Sequence, residues 1–319
     1  MSALTCVIDR PDLASVSLEG GDVLRYLHAV CTQHTLDLQP GDATQALLLS
    51  PKGKIEFAFR LAVLEGGVLL DTEAATAPAL AERLARFVFR YDVTVGRPVP
   101  GPGAATLLGE QAEAVLGAAG LPAPGQGRAG VAGPALVVHR TPLGFDLVGP
   151  AAPGAVAGLE RAGAERAPAG WWELARVAGG LPRAGHELTD DVLAEEAGLL
   201  GSHVHLDKGC YPGQETVARV HNLGQVQRRL AGLRFETSPN GDPEALPAPR
   251  TDLVTDDGRR AGQLRSVVDH PDLGPIGLAY VRRVVESGGL VRAGDRVATV
   301  VDLPFTDAPV EYRRRIHDR

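Results

Sequence analysis

The texture of the chain changes near residue 227, and that change limits the folds open to it more than any other feature. Before it, strand-like and helix-like patterns alternate. After Val226 only short strand-like runs follow: QRRLAGLRF, TDLVT, RRAGQLRSVV, IGLAYVRR and DRVATVV. Asp257-Gly258 between two of these runs is a hairpin signal. Five short strands within about 90 residues predict a small barrel or sandwich. The chain of 319 residues is too long for one ordinary core and divides, on this reading, into residues 1–227 and 228–319.

The first part mixes both periodicities. Leu13 to Leu18 reads as a strand and leads into GGDVLRYLHAVCT, where Val23, Leu24, Leu27 and Val30 fall at helical spacing and Asp22 is placed to cap. From Thr44 an antiparallel meander follows, TQALLLS, KIEFAFRLAVL and GVLLDT, separated by PKG and EGG turns. An arginine-bearing helix over 79–88 and a strand RYDVTV come next. The proline- and glycine-rich stretches 96–103 and 121–130 are loops. Around them the pattern predicts helices near 110–118 and 153–162 and strands at 135–139 and 144–148, with His139 on a strand surface.

A hydrophobic fraction of 44% and a charged fraction of 22% are those of a globular protein. No stretch is apolar enough to span a membrane or shaped as an export signal, so a cytoplasmic protein without a membrane partner is expected. The net charge of -7 argues against a nucleic-acid surface. The basic tail YRRRIHDR, 312–319, reads as a solvated terminus. Cys6, Cys31 and Cys210 are scattered and odd in number, which predicts neither a disulfide framework nor a zinc site. Cys31, at the end of the first helix, is most simply core.

Lys208 to Glu215, KGCYPGQE, is the densest stretch of special residues. Gly209 and Gly213 can take positive φ, Pro212 suits a first helical turn, and the TVARV that follows reads as helix. Cys210 would lie near the positive end of that helix, where a thiolate is favoured, and Lys208 would add a second positive charge. The alternative is a small buried hydrophobe, as most free cysteines are. Only three of the 32 basic residues are lysine, Lys52, Lys54 and Lys208, and all three sit beside a glycine-containing turn.

Trp171 and Trp172 are adjacent in a helical run, WWELARV, so at most one can face the core fully while the other points elsewhere, and one could line a pocket. Next come a glycine-rich turn and a short helix. His203 and His205 then alternate with Val204 and Leu206 at strand spacing and are followed by Asp207, a weak pattern for a metal.

KGCYPGQE followed by VAR, and preceded by GLPRAGHELTDD, resembles the signature of the YgfZ family, folate-binding proteins that support iron–sulfur enzymes and tRNA modification. LEGGDVLRYLHAVCT, LLLSPKGKI and GLAYVRR are similar to the wider superfamily of the glycine-cleavage T-protein, an aminomethyltransferase. The resemblance spans nearly the whole chain. It implies an α+β fold of interleaved α/β subdomains arranged as a ring around a folate pocket, with a small C-terminal β-barrel. It implies tetrahydrofolate or another folate as cofactor and iron–sulfur enzymes as transient clients. Cys210 becomes the functional cysteine, supported by Lys208. Trp172 is placed near the folate, and Tyr91, Gly209, Gly213, Gln214, Glu215 and Arg219 become folate-binding candidates; no metal is implied.

Two departures bear on chemistry. The acidic pair that follows the T-protein's glycine turn is here Gly53-Lys54-Ile55-Glu56-Phe57, and its R-x-E-x-G-x-P run is here Arg176 to Pro182 with Ala178 in place of glutamate. Glu56 is then the nearest substitute for a proton-handling group. Three functions stay open: an accessory protein acting through Cys210, a tetrahydrofolate-dependent aminomethyltransferase or demethylase, and a binding scaffold without chemistry.

Overall fold

The computed structural model describes residues 5–100, 104–132, 135–168, 170–224, 226–236 and 246–305. The basic tail 312–319 lies outside them. In chain order the elements are β1 (Cys6–Asp9), β2 (Leu13–Glu19), α1 (Val23–Val30), β3 (Ala43–Leu49), β4 (Ile55–Leu64), β5 (Gly67–Glu73), α2 (Ala77–Ala85), β6 (Thr94–Val95), β7 (Val99–Pro100), β8 (Ala104–Leu108), α3 (Ala112–Ala118), β9 (Ala129–Val131), β10 (Val137–Thr141), β11 (Gly144–Val148), α4 (Ala152–Arg161), β12 (Glu165–Arg166), α5 (Gly170–Ala178), α6 (Leu200–His203), α7 (Gln214–Leu223), β13 (Arg228–Phe235), β14 (Asp252–Val254), β15 (Arg260–His270), β16 (Gly274–Arg282), β17 (Leu290–Ala293) and β18 (Arg296–Val301).

The class is α+β. One sheet runs β3-β4-β5-β2-β6, with β7 also paired to β2. A second runs β12-β1-β8-β11-β10-β9, and β13-β16-β15-β14-β17-β18 close into a barrel. Because β1 belongs to the second sheet while β2 to β7 build the first, the chain leaves one unit and returns to it. The two α/β units are therefore interleaved.

The apolar periodicities translate directly into cores. On α1, Val23, Tyr26 and Leu27 are buried against Leu48, Phe59, Leu61 and Leu70 of the first sheet. Val115, Leu116, Val156 and Leu159 of α3 and α4 cover Leu107, Val138 and Leu147 of the second. The barrel interior is filled by residues such as Leu233, Leu264, Val281 and Val300.

Several sequence expectations shift. RYDVTV contributes only the two residues of β6, because the outer edge of β2 is shared: Leu18 and Glu19 pair with Val95 and Thr94, while Ala14 and Ser15 pair with Pro100 and Val99. Asp22 does not cap α1 with its side chain; its carboxylate accepts the N–H of Asp92 at 3.1 Å. The barrel has six strands rather than five, closed by the short β17. His139 is buried, not on a surface, with Nε2 3.1 Å from Asp71 Oδ1. His203 ends the four-residue α6 and His205 lies beyond it, just before a turn and outside any strand, so their strand-like spacing is coincidental.

Candidate functional site

A cavity of about 530 Å³ lies where the three units meet. The first sheet contributes Arg60, Asp71, Thr72 and Glu73, the second Thr141 and Asp146, and the barrel side Leu230 and Leu303. Trp172 and Arg176 of α5 and the 180–184 loop complete the wall. Its size is within the range of roughly 300–1,000 Å³ usual for small-molecule sites.

Arg60 ties the two sheets together across this space. It is the register partner of Asp71 on β5, and its guanidinium reaches Asp71 Oδ2 and Asp146 Oδ2, each at 2.5 Å. Burial would raise the Asp71 carboxyl, but Arg60 and His139 outweigh it and hold it at about 2. Thr106 Oγ1 donates to Asp146 Oδ1 at 2.6 Å and accepts from Arg10 Nη1 at 3.0 Å. Arg10 also donates to Asp12 at 2.9 and 2.8 Å, and its guanidinium lies 3.8 Å over the Trp172 ring. Such a stacked cation fixes the indole plane.

The two tryptophans divide as helix geometry requires. Trp171 is buried in the core between α5 and the barrel, while Trp172 is half-buried and lines the cavity. Trp172 Nε1 is buried with no hydrogen-bond partner among the described residues. Arg176, only 1% exposed, was missed as more than a motif position. It donates to Glu173 Oε2 at 2.8 Å, Leu181 O at 3.1 Å, Glu187 Oε2 at 3.2 Å and Ser266 Oγ at 2.6 Å, joining α5, the 181–187 loop and the barrel.

Glu73, also missed, differs from these paired acids. Its side chain is 14% exposed, and its nearest cation is Arg183 Nη2 at 3.5 Å. Burial pushes its carboxyl up to about 7, against the opposing pull of Arg183. The signal was present in GVLLDTE, where Asp71 and Glu73 fall on one strand face. Glu56, the acid favoured from sequence, is instead ion-paired to Arg83 at 3.1 Å and is absent from the cavity wall.

The KGCYPGQE stretch is built for a different job from the one its composition implied. Gly213 caps α7 with φ 83, and a Cβ there would meet Ser50 O at 2.5 Å and Gly53 Cα at 3.1 Å. Gly53 has φ 74 and a Cβ on it would meet Thr216 at 2.6 Å. The two glycine turns singled out in the sequence therefore interlock, each approaching the other's backbone too closely to carry a side chain of its own. Lys208 is buried, and its ammonium donates to His28 O at 2.5 Å, Cys31 O at 2.6 Å and Gln33 O at 3.2 Å. Its three N–H bonds are thus used on carbonyls at the end of α1, and none is left to donate to Cys210. Burial lowers the Lys208 pKa from the usual lysine value.

Cys210 is exposed, whereas Cys6 and Cys31 are buried. None of Lys208, Gly209, Cys210, Gly213, Gln214, Glu215 and Arg219 lines the central cavity. Gln214 borders a separate recess of about 350 Å³ with Tyr211, Val217 and His221, and Glu215 and Arg219 are exposed. Tyr91 packs on Tyr26 at 5.3 Å between ring centroids, beside the first core. Of the residues predicted to act with Cys210 or to hold folate, Trp172 alone lines the cavity. The two regions are joined by the 199–208 segment: His203 lines the cavity, its carbonyl accepts Thr32 Oγ1 at 2.6 Å, and burial lowers its ring to about 4. His205 lies edge-on to His34 at 5.4 Å, and His34 to His28 at 4.8 Å. Among the described residues no group of three or more histidine, cysteine or acidic side chains is arranged to hold a metal ion.

With this geometry in place, known proteins supply a frame. The glycine cleavage system aminomethyltransferase T of Bartonella henselae superposes with a TM-score of 0.82 over 96% of this chain and 87% of that one, at 22% identity. The fold is the aminomethyltransferase fold. An aminomethyltransferase of Rubrobacter xylanophilus is 29% identical over 332 aligned residues, 98% of this chain and 84% of its own. The human mitochondrial iron–sulfur cluster assembly factor IBA57 is 32% identical over 250 aligned residues, covering 75% of this chain and 64% of that protein. No family profile matches the chain. No helix among the described residues is long and apolar enough to cross a membrane.

Proposed function

We propose that this chain binds tetrahydrofolate, or another folate, in the central cavity and supports the assembly or repair of iron–sulfur enzymes, tRNA-modifying ones included, through the exposed thiol of Cys210. The assignment to the YgfZ group rests on KGCYPGQE and its flanks. The observation that carries the reading is that the cavity and the exposed thiol lie apart on one fold. A cavity of ligand size holds an unpartnered Trp172 Nε1 and a loosely paired Glu73, while the exposed cysteine lies outside its wall. A thiol so placed meets a partner protein more readily than the cavity's ligand.

The residues fit a folate's planar, nitrogen-rich ring: Trp172 offers an N–H donor and a flat face, and Glu73 an acceptor. Bound tetrahydrofolate would supply a nitrogen able to carry one-carbon groups. A lone cysteine cannot ligate a cluster needing about four thiolates, so any contact of Cys210 with iron is shared with the client. The similarity to the assembly factor supports this reading. Titration calorimetry with tetrahydrofolate tests the first half, and no binding defeats it. Iron–sulfur enzyme activity and thiomethylated tRNA in cells carrying Cys210→Ser test the second, and normal levels of both defeat it.

An aminomethyltransferase or demethylase activity is the second reading, favoured by Glu73 as a titrating acid inside the cavity and by the near full-length similarity to the Rubrobacter enzyme. Turnover of aminomethyl donors or methylated amines by the purified protein with tetrahydrofolate would select it.

A further inference from the structure

The acids of the central cavity are held very unequally. Asp71 and Asp146 are each bonded to Arg60 at 2.5 Å, and Glu173, just outside the wall, accepts from Arg176 at 2.8 Å and Arg183 at 3.2 Å. Glu73 has only the 3.5 Å contact to Arg183, too long for a strong hydrogen bond. Its strand is fixed by full pairing with β2, where Leu13 is its register partner, so the carboxyl is carried on rigid backbone. A carboxyl on rigid backbone with a side chain only 14% exposed, and with lone pairs unclaimed, is an acceptor waiting for donors. Trp172, whose Nε1 is one of the cavity's unpartnered donors alongside Arg183 Nε, is linked to the same corner through Arg10, which stacks on its ring and bonds Asp12.

We infer that Glu73 is the ligand-binding carboxylate of this cavity, accepting hydrogen bonds from adjacent N–H groups of a planar nitrogen heterocycle and releasing its own proton to solvent as it does so. The inference deepens the folate reading and takes its probe from it. The O–H bond of the carboxylic acid breaks, the proton leaves to buffer, and the carboxylate takes the ligand's N–H donors. The charges that face Glu73 are Arg183 of the 181–187 loop, Asp12 and Arg10 of the β1–β2 connection, and Arg176 of α5. Glu173 stands behind Arg183, and Asp71 lies two residues away on the same strand. Each of the three arginines makes a shorter bond to another carboxylate, Arg10 to Asp12, Arg176 to Glu173 and Arg183 to Glu173, so none compensates the Glu73 charge fully.

The experiment is calorimetry with tetrahydrofolate in two buffers of different ionisation enthalpy, on the full chain and on Glu73→Gln. Affinity should rise about tenfold between roughly pH 6 and pH 8 with net proton release, and Glu73→Gln should bind more weakly at the higher pH and lose both the pH dependence and the proton release. Binding with no pH dependence, or a variant that keeps the wild-type profile, overturns the inference while leaving the folate reading intact. If tetrahydrofolate does not bind at any pH, the folate reading fails. Infrared spectroscopy of the ligand-free protein then decides for Glu73: a protonated carboxyl band at neutral pH that vanishes in Glu73→Gln supports the inference, and its absence overturns it.

Discussion

The ammonium of Lys208 donates to the carbonyl of Cys31 at 2.6 Å, and with His28 O and Gln33 O it closes the C-terminal end of α1. Those carbonyls have no partners within the helix, and a buried cation there meets both their hydrogen-bonding need and the negative end of the helix dipole. Lys208→Met should therefore cost about 2–4 kcal/mol in urea unfolding, because it leaves buried acceptors unmatched. Cys210→Ser, at an exposed position, should stay within about 0.5 kcal/mol of wild type. Equal costs for the two would contradict the clamp.

How much of this was legible in the sequence depended on how far apart the interacting residues lie. Val23, Leu24, Leu27 and Val30 announce α1, and glycine turns delimit the β3–β5 meander, because those signals are local. Lys208 reads as a partner for Cys210 only while its true acceptors, near residues 28–33, stay invisible to a local reading. His139 looks like a surface residue until Asp71 is brought to it from the other sheet. Glu73 passes for the polar end of a strand, since nothing near it in sequence says that a loop from residues 181–187 and a helix from 170–178 will cover it. The resemblance of motifs gave the fold; of its site candidates Trp172 lines the central cavity, while the 208–219 segment packs against the β3–β4 turn.

The interlocked turns give a contrast between two glycines of the same motif. Gly213→Ala needs a positive φ and drives its Cβ to 2.5 Å from Ser50 O, so a loss of about 2–4 kcal/mol is expected from thermal or urea unfolding. Gly209→Ala has only His28 Nε2 near, at 3.8 Å, and should be close to neutral. A tolerated Gly213→Ala would show that the β3–β4 turn can move away.

Glu73 also makes a prediction about stability without any ligand. Burial raises its carboxyl to about 7 from the usual glutamate value of 4.5, so its contribution is fully present below about pH 4.5 and is lost as pH rises through about 7. Wild type should lose on the order of 3 kcal/mol relative to Glu73→Gln between those limits, an upper figure given partial access to water. Parallel stability curves for the two proteins across that range would remove the burial argument.

Trp171 and Trp172 separate stability from binding within one dipeptide. Trp171 is 2% exposed, packed among Ile8, Ile276 and Leu278 with His270 at 6.4 Å between ring centroids, so Trp171→Ala should cost about 3–5 kcal/mol. Trp172 is half-buried, with Arg10 over its ring and the cavity beside it, so Trp172→Ala should destabilise less and weaken tetrahydrofolate binding more. Trp172→Phe keeps a ring for Arg10 and removes only the N–H. Its affinity should fall about fivefold, the worth of one hydrogen bond of about 1 kcal/mol. Were Trp172→Phe to bind as tightly as wild type while Trp172→Ala did not, the ring face alone would be the contact, and the unpartnered Nε1 would have no part in holding the ligand.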